Sequence, residues 1–391
     1  MMSRNVPKLR FKGFEDEWKK YELDDIAMIS KSKYNPTKSN KTYKCIELEH
    51  IAQEDGRILG YVNSKEQNSI KNKFDSGDIL FGKLRPYLKK YWISNFEGVC
   101  SSEIWVLKAR KISNSFLYRI VQSEKFNNIA NVSSGSKMPR ADWNYMSSTI
   151  FLVPKLNEQE KIANFLSKVD SIIEKQEKKV QYWNSYKKGM MQKIFSQKIR
   201  FKDENCRDYP EWEEKKLGSC FLERSITNNN ELELLSVTIN NGVKKRSDIE
   251  GKDNSSDDKS NYKLVEKNDI VYNSMRMWQG ASGVSSYRGI VSPAYTILIP
   301  QNNVNSYFFA YLFKLEKVIN EFRKFSQGLT SDTWNLKYPL LKGIRVKVPC
   351  LEEQTKIANF LSNIDNIIDK ESKKLEELRQ WKKGLFQQMF V

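Results

Sequence analysis

Cationic and aromatic side chains alternate over Lys83, Arg85, Tyr87, Lys89, Lys90 and Tyr91, directly after the apolar alternation Ile79, Phe81 that reads as a strand. A lysine or arginine set against a phosphate displaces condensed counterions, and a guanidinium can bridge two acceptors on a guanine edge. A second group is the Gly/Ser-rich stretch 133–140 with Ser136, Lys137 and Arg140. Three more sets lie later in the chain. Lys244 and Lys245 follow Asn240-Asn241-Gly242 and read as a hairpin tip; Arg276, Trp278 and Gln279 match the 83–91 loop by position; Gln327, Thr330 and Ser331 match the Gly/Ser-rich loop. All of them have the chemistry of a nucleic-acid contact. Each alone is equally compatible with a solvated surface, and the sets weigh more than their members. Arg85 and Arg276 share a repeat position, so a structural ion pair is the competing reading for both.

Other chemistries are excluded by what the chain lacks. One histidine, His50, among 391 residues leaves no two-histidine metal site, and any Ser–His–Asp triad would have to use it. Five cysteines (Cys45, Cys100, Cys206, Cys220, Cys350), odd in number and never spaced as a Cys-x-x-Cys pair, argue against a disulfide framework or a zinc ribbon. There is no Gly-x-x-x-x-Gly-Lys-Ser/Thr phosphate loop and no Gly-x-Gly cluster for a nucleotide or methyl donor. Ser292-Pro293-Ala294-Tyr295 approaches the Pro-Pro-aromatic box of an amino-methyltransferase but lacks the second proline. A catalytic role is therefore not expected, and neither is a bound metal. The formal charge of +18 is spread along the chain without a basic tail, which favours a polyanionic partner. No apolar run reaches the ~18–20 residues of a membrane span, so a soluble, cytoplasmic protein without membrane contact is expected.

The elements that must position these loops are set by an internal duplication. Residues 153–175 and 348–370 are identical at 16 of 23 positions at a constant offset of 195. In the first copy Ile162, Leu166, Val169, Ile173, Val180 and Trp183 fall on an a/d seam, continued through Gln176 and Lys187; in the second copy Ile357, Leu361, Ile364, Ile368, Leu375 and Leu378 do the same, with Glu371 and Lys382 at the matching polar positions. About 39 residues predict a rod on the order of 58 Å. Asn157 with Glu160 has capping-box spacing, and Gly189 and Gly384 suggest a kink or stop. Two alike seams predict an antiparallel coiled coil, with two helices of separate domains as the alternative. The stretches between them are related more faintly: each opens with Arg-Phe-Lys (10–12, 200–202), then a tryptophan (Trp18, Trp212). Alternations at Ile104, Val106 and at Ile297, Ile299 read as strands, and 116–130 and 306–323 as helices. The expected fold is α+β: two similar mixed α/β domains joined by two long helices, pseudo-twofold. The boundaries are 1–152, 153–198, 199–347 and 348–391.

This arrangement resembles the specificity subunit of type I restriction–modification systems, over nearly the whole chain. The resemblance rests on the Pro-x-Leu-x-Glu-Gln-x-x-Ile-Ala pattern at 154–163, repeated at 349–358, and on Gly-Asp-Ile-Leu-Phe-Gly-Lys-Leu-Arg-Pro-Tyr-Leu at 77–88. The second domain departs from that run at 273–278. The resemblance implies two target-recognition domains that read an asymmetric, bipartite site in double-stranded DNA. It also implies recruitment of two methyltransferase subunits and of restriction/translocase subunits, with methyl donor and ATP bound only by those partners. The duplicated helices, with Glu158, Gln159, Glu353 and Gln354 at their starts, would serve as spacer and docking surface. A coiled-coil adaptor with an incidental basic surface and a self-sufficient modification enzyme remain the alternatives.

Overall fold

The computed structural model describes residues 5–132, 138–239, 242–253, 255–330 and 333–391. Two compact units emerge: residues 1–178 with 372–391, and residues 179–371. Both long helices, Leu156–Phe195 and Leu351–Met389, contribute to both units.

In the first unit, strand Lys19–Glu22 pairs antiparallel with Ile150–Val153, closing the domain just before the first long helix begins. A four-stranded sheet runs in the order Ala27–Ile29, Ile104–Ala109, Ile79–Gly82, Tyr91–Ile93. Its central strands are apolar on both faces because each face meets a core. Phe81, Trp105 and Leu107 join the cluster that includes Ile162 and Leu166, while Leu80, Ile104 and Val106 face the cluster of Ile46, Phe74 and Cys100. A five-stranded sheet, 33–34, 71–74, 98–100, 44–46, 62–63, lies beyond that second core.

The second unit repeats this plan with other residues. Glu213–Lys216 pairs with Arg345–Val348, and the four-stranded sheet runs Phe221–Arg224, Tyr295–Pro300, Ile270–Asn273, Ser282–Val284. Tyr272 and Leu298 face the helix-side core, and Val271 and Ile297 face the outer one. The five-stranded sheet is reduced to a hairpin, Leu235–Thr238 with Gly242–Lys245, and a pair, Lys263–Val265 with Gly289–Val291.

The long helices pair antiparallel within each unit. In the first, Lys382 reaches Asp170 at 2.7 Å and Arg379 reaches Glu177 at 2.6 Å; in the second, Lys187 reaches Asp365 at 2.5 Å and Lys179 reaches Glu371 at 2.7 Å. Along one helix the numbers rise while along the other they fall. The two seam lysines, Lys187 and Lys382, thus meet aspartates that are themselves repeat partners, which fixes register. Ile162, Leu166, Val169, Ile173, Ile357, Leu361 and Ile364 are buried in the seam; Val180, Trp183, Ile368, Leu375 and Leu378 are half-buried.

Three local expectations are corrected. The first long helix begins at Leu156, so Asn157 lies inside it and does not cap it; instead the Gln159 side chain donates to the Pro154 carbonyl at 2.9 Å. Gly189 and Gly384 do not stop their helices, which run on to Phe195 and Met389. The helices expected at 116–130 and 306–323 are each two helices, Asn114–Gln122 with Glu124–Ala130 and Ser306–Leu312 with Glu316–Phe325. At the first break Ser123 is extended (φ −67°, ψ 151°), and its hydroxyl accepts from the Phe126 amide as a new N-cap.

Candidate nucleic-acid interface

The strand Ile79–Gly82 delivers the first loop. Lys83 is tied through its backbone, donating to the Glu103 carbonyl and accepting from the Ala141 amide. Arg85 follows in the left-handed region (φ 53°), its amide donating to the Pro139 carbonyl, and a one-turn 3-10 helix, Pro86–Leu88, leads to Lys89, again left-handed (φ 47°). Such a conformation costs a non-glycine residue roughly 1–2 kcal/mol. Two of them bracketing one turn hold its side chains in a fixed presentation. The Arg85 guanidinium is exposed and has no ion-pair or hydrogen-bond partner among the described residues, and Tyr87 beside it is 52% exposed. The ion pair that competed as an explanation of Arg85 is absent among the described residues.

The rest of that loop turns inward. Lys89 pairs with Glu54 at 2.9 Å, Lys90 donates to the Leu48 carbonyl at 2.6 Å, and buried Tyr91 donates to the Glu54 carbonyl at 2.9 Å. Burial lowers the Lys90 ammonium pKa and pushes the Tyr91 phenol well up. Lys89 is therefore a brace as much as a contact. The second loop joins the first through a bridge between Leu84 and Arg140. Arg140 is engaged by Glu103, with Nε donating at 3.0 Å, so its charge is partly answered already. Ser136 and Lys137 lie outside the described residues.

The second unit builds the same corner. Strand Ile270–Asn273 leads into Ser274, Met275 and Arg276, with Arg276 three residues beyond the strand, as Arg85 is in the first unit. The Leu336 amide donates to the Ser274 carbonyl, repeating the bond from Ala141 to Lys83. Arg276 is exposed and, like Arg85, has no side-chain partner among the described residues. Trp278 is half-buried, donates its indole N–H to the Met275 carbonyl at 3.0 Å and meets Trp334 edge-to-face at 5.3 Å. Gln279 is half-buried beside it. Gln327 and Thr330 sit exposed on the neighbouring loop, which pairs back through Gln327 and Asn335; Ser331 lies outside the described residues. Between them Leu329 is 101% exposed.

On the hairpin of the second unit, Lys244 is exposed and points its charge to solvent, while Lys245 is paired with Glu233 at 2.7 Å, which raises its ammonium pKa. Both lie on the second strand, Gly242–Lys245, whereas the sequence suggested the tip.

The docking assignment of the helix starts is corrected by burial. Glu158 is 2% exposed and accepts from Arg10 at 2.7 and 2.8 Å and from the Trp18 indole at 3.3 Å. Glu353 is 0% exposed and accepts from Arg200 at 2.8 Å and Trp212 at 3.1 Å. Gln159 takes the Ser113 amide and Gln354 the Asn305 amide, each at the N-cap of a domain helix. The Glu-Gln pair, with the Arg-Phe-Lys and tryptophan repeats, is thus one device that clamps each recognition domain onto its long helix. It offers no surface to a partner.

One basic stretch escaped the reading of motifs. Residues 26–46 contain five lysines and no acidic residue. Lys44 lies over the rings of Tyr61 and Phe96 (4.6 and 4.8 Å), and Lys41 over Tyr43 (4.8 Å), at the outer sheet of the first unit. The absence of any carboxylate over that stretch was the available signal. Among the described residues no cluster of three or more His, Cys, Asp or Glu could hold a metal ion, and no helix is long and apolar enough to cross a membrane.

Known proteins resemble the chain in sequence and in fold. A type I restriction enzyme specificity subunit, EcoDI of Escherichia coli, is 27% identical over 188 residues, which cover 47% of this chain and 42% of that protein's own length. The MjaVIII specificity subunit of Methanocaldococcus jannaschii is 24% identical over 95% of this chain and 91% of its own. Among solved structures, the S subunit of a type I restriction–modification system from M. genitalium superposes with a TM-score of 0.61 at 18% identity, covering 99% of both chains. A chain from a study of complex assembly and conformational transition in the type I system gives 0.56 at 17% identity, covering 94% of this chain and 96% of its own. The family model of the type I restriction modification DNA specificity domain matches residues 15–181 and again residues 210–380, so the chain belongs to that family and carries its domain twice.

Proposed function

We propose that the chain reads a bipartite, asymmetric site in double-stranded DNA, one half with each unit, and brings methyltransferase and restriction subunits of a type I complex to it. Within its family the specificity subunit is the DNA-recognition component and does no chemistry of its own. The observation that carries the reading is the repeated corner. An unpaired arginine stands three residues past the central strand in both units, beside a second loop held by the same backbone bond, with different neighbours in each. Equal scaffolds with unequal side chains suit two different half-sites. A guanidinium bridging a guanine contributes about 1–3 kcal/mol of discrimination, so losing Arg85 or Arg276 should relax one half and spare the other.

The first halves of the helices suit two alike partners, because exposed Asn164, Lys175 and Lys178 recur as exposed Asn359, Lys370 and Lys373, while the inward faces are consumed by the seam and the clamp. Two methyltransferase copies fit that repetition. Methyl donor and ATP then belong to the partners, and the assembly works in the cytoplasm, where DNA is accessible. Binding measured against salt tests the reading. Specific duplex binding by the complex should fall roughly a thousandfold between 50 and 200 mM salt. A weak preference for any sequence and a flat salt response would instead support an adaptor with an incidental basic surface, and methylation by the chain alone would support a self-sufficient enzyme.

A further inference from the structure

The reading corner of the second unit stands on a half-buried amine. Lys314, in the short link between the helices Ser306–Leu312 and Glu316–Phe325, donates to the Gly280 carbonyl at 2.5 Å and to the Ile239 carbonyl at 3.0 Å. Gly280 ends the turn that carries Arg276, Trp278 and Gln279; Ile239 directly follows Leu235–Thr238, the strand paired with the one that carries Lys244. From the same side Arg323 donates to the Trp278 carbonyl at 3.3 Å. The two recognition elements also touch directly: a Cβ on Gly283 would lie 2.7 Å from the Gly242 Cα, so hairpin and sheet meet backbone to backbone.

We infer that Lys314 is a positioning residue for recognition, tying the 274–280 turn and the strand pair 235–238 with 242–245 into one reading surface of the second unit. The inference rests on the proposed reading of those two elements as DNA contacts. Lys314 itself touches no base; it sets the spacing between groups that do. One ammonium bonded to two carbonyls from separate segments suits that task, because charge-assisted bonds are roughly twice as strong as neutral ones. The first unit has a glutamine and a serine (Gln122, Ser123) at the corresponding helix junction, and its corner is braced by Lys89 and Glu54 instead.

A titration distinguishes this role from simple packing. Burial, together with the nearby charge of Lys187, lowers the Lys314 pKa to about 8. Among the described residues the groups around it are Lys187 on the long helix, already paired with Asp365, and Arg323 on its own side; the hairpin and the turn present carbonyls. Above pH 8 the amine is neutral and the two bonds weaken. Arginine at this position would stay charged.

The test maps methylated adenines at pH 7 and pH 9 with the reconstituted complex acting on a library of random duplexes. Wild type, Lys314→Met, Lys314→Arg and Arg276→Ala are compared. At pH 7, Lys314→Met should relax, by roughly tenfold in discrimination, the same half-site that Arg276→Ala relaxes, leaving the other half intact. Wild type should approach that behaviour at pH 9, and Lys314→Arg should not. Intact discrimination in Lys314→Met, or a wild-type profile as flat as that of Lys314→Arg, overturns the inference. Should Lys314→Met fail to fold, the contrast between wild type and Lys314→Arg across pH decides alone. If Arg276→Ala relaxes neither half, the underlying reading of the corner fails, and the inference with it.

Discussion

Replacing Glu353 by glutamine should weaken the second unit by about 3 kcal/mol. The carboxylate is fully buried, and it answers a guanidinium, that of Arg200, whose side chain is only 18% exposed. Removing one member of a buried pair typically costs about 3–5 kcal/mol, because the other charge is left without its partner. The lower end applies here for two reasons. Arg200 keeps bonds to the Tyr209 and Pro210 carbonyls, and glutamine can still accept from the Trp212 indole, which donates to Glu353 at 3.1 Å. The control lies on the same arginine. Glu211 pairs with Arg200 at 3.1 Å but is 89% exposed, so Glu211→Gln should cost about 0–1 kcal/mol. For a unit of this size 1 kcal/mol shifts a melting temperature by about 2–4 °C, so Glu353→Gln should lower the second unit's transition by about 6–12 °C in calorimetry. Glu158→Gln should do the same to the first unit, where Arg10 is the partner. Equal, small shifts for Glu353→Gln and Glu211→Gln would refute the clamp.

Gly189→Ala and Gly384→Ala should each stabilise the helix pair by about 0.5–1 kcal/mol in denaturant titrations, since a Cβ at either position meets nothing within 4 Å. Leu361→Ala, at a fully buried seam position, should cost about 2–5 kcal/mol by the same measurement. Stability should also depend on pH through Lys314, whose folded pKa lies below its unfolded value of 10.5. The unfolded chain then binds more protons between pH 8 and 10.5, so wild type should gain stability relative to Lys314→Met as pH rises through that window. The gain should be absent below pH 8.

The seam was readable because every contact it makes obeys one local period, and burial of Ile162, Leu166, Val169, Ile357 and Leu361 follows that period. The strands at 79–82, 104–109 and 295–300 were readable for the same reason. What local pattern could not supply was the destination of polar groups. Glu158 and Glu353 looked like docking residues because their repeat is so strict, yet their partners, Arg10 with Trp18 and Arg200 with Trp212, lie about 140–150 positions away in sequence. Lys89, Lys90 and Tyr91 looked like their neighbours Arg85 and Tyr87, and only the fold brings Glu54 and Leu48 beneath them. Conversely, the free guanidinium of Arg276 could not be told from a structural one until its surroundings were known. The break at Ser123 was hidden because apolar periodicity continues across it, and the N-cap hydroxyl alone marks the new start.

If each unit reads its own half of one target, methylated adenines mapped in cells that carry the neighbouring methyltransferase gene with wild type, Arg85→Ala or Arg276→Ala will show it. Wild type should give one bipartite motif, Arg85→Ala degeneracy in one half of it, and Arg276→Ala degeneracy in the other half. Loss of methylation at all sites equally, or degeneracy in the same half for both variants, would contradict it.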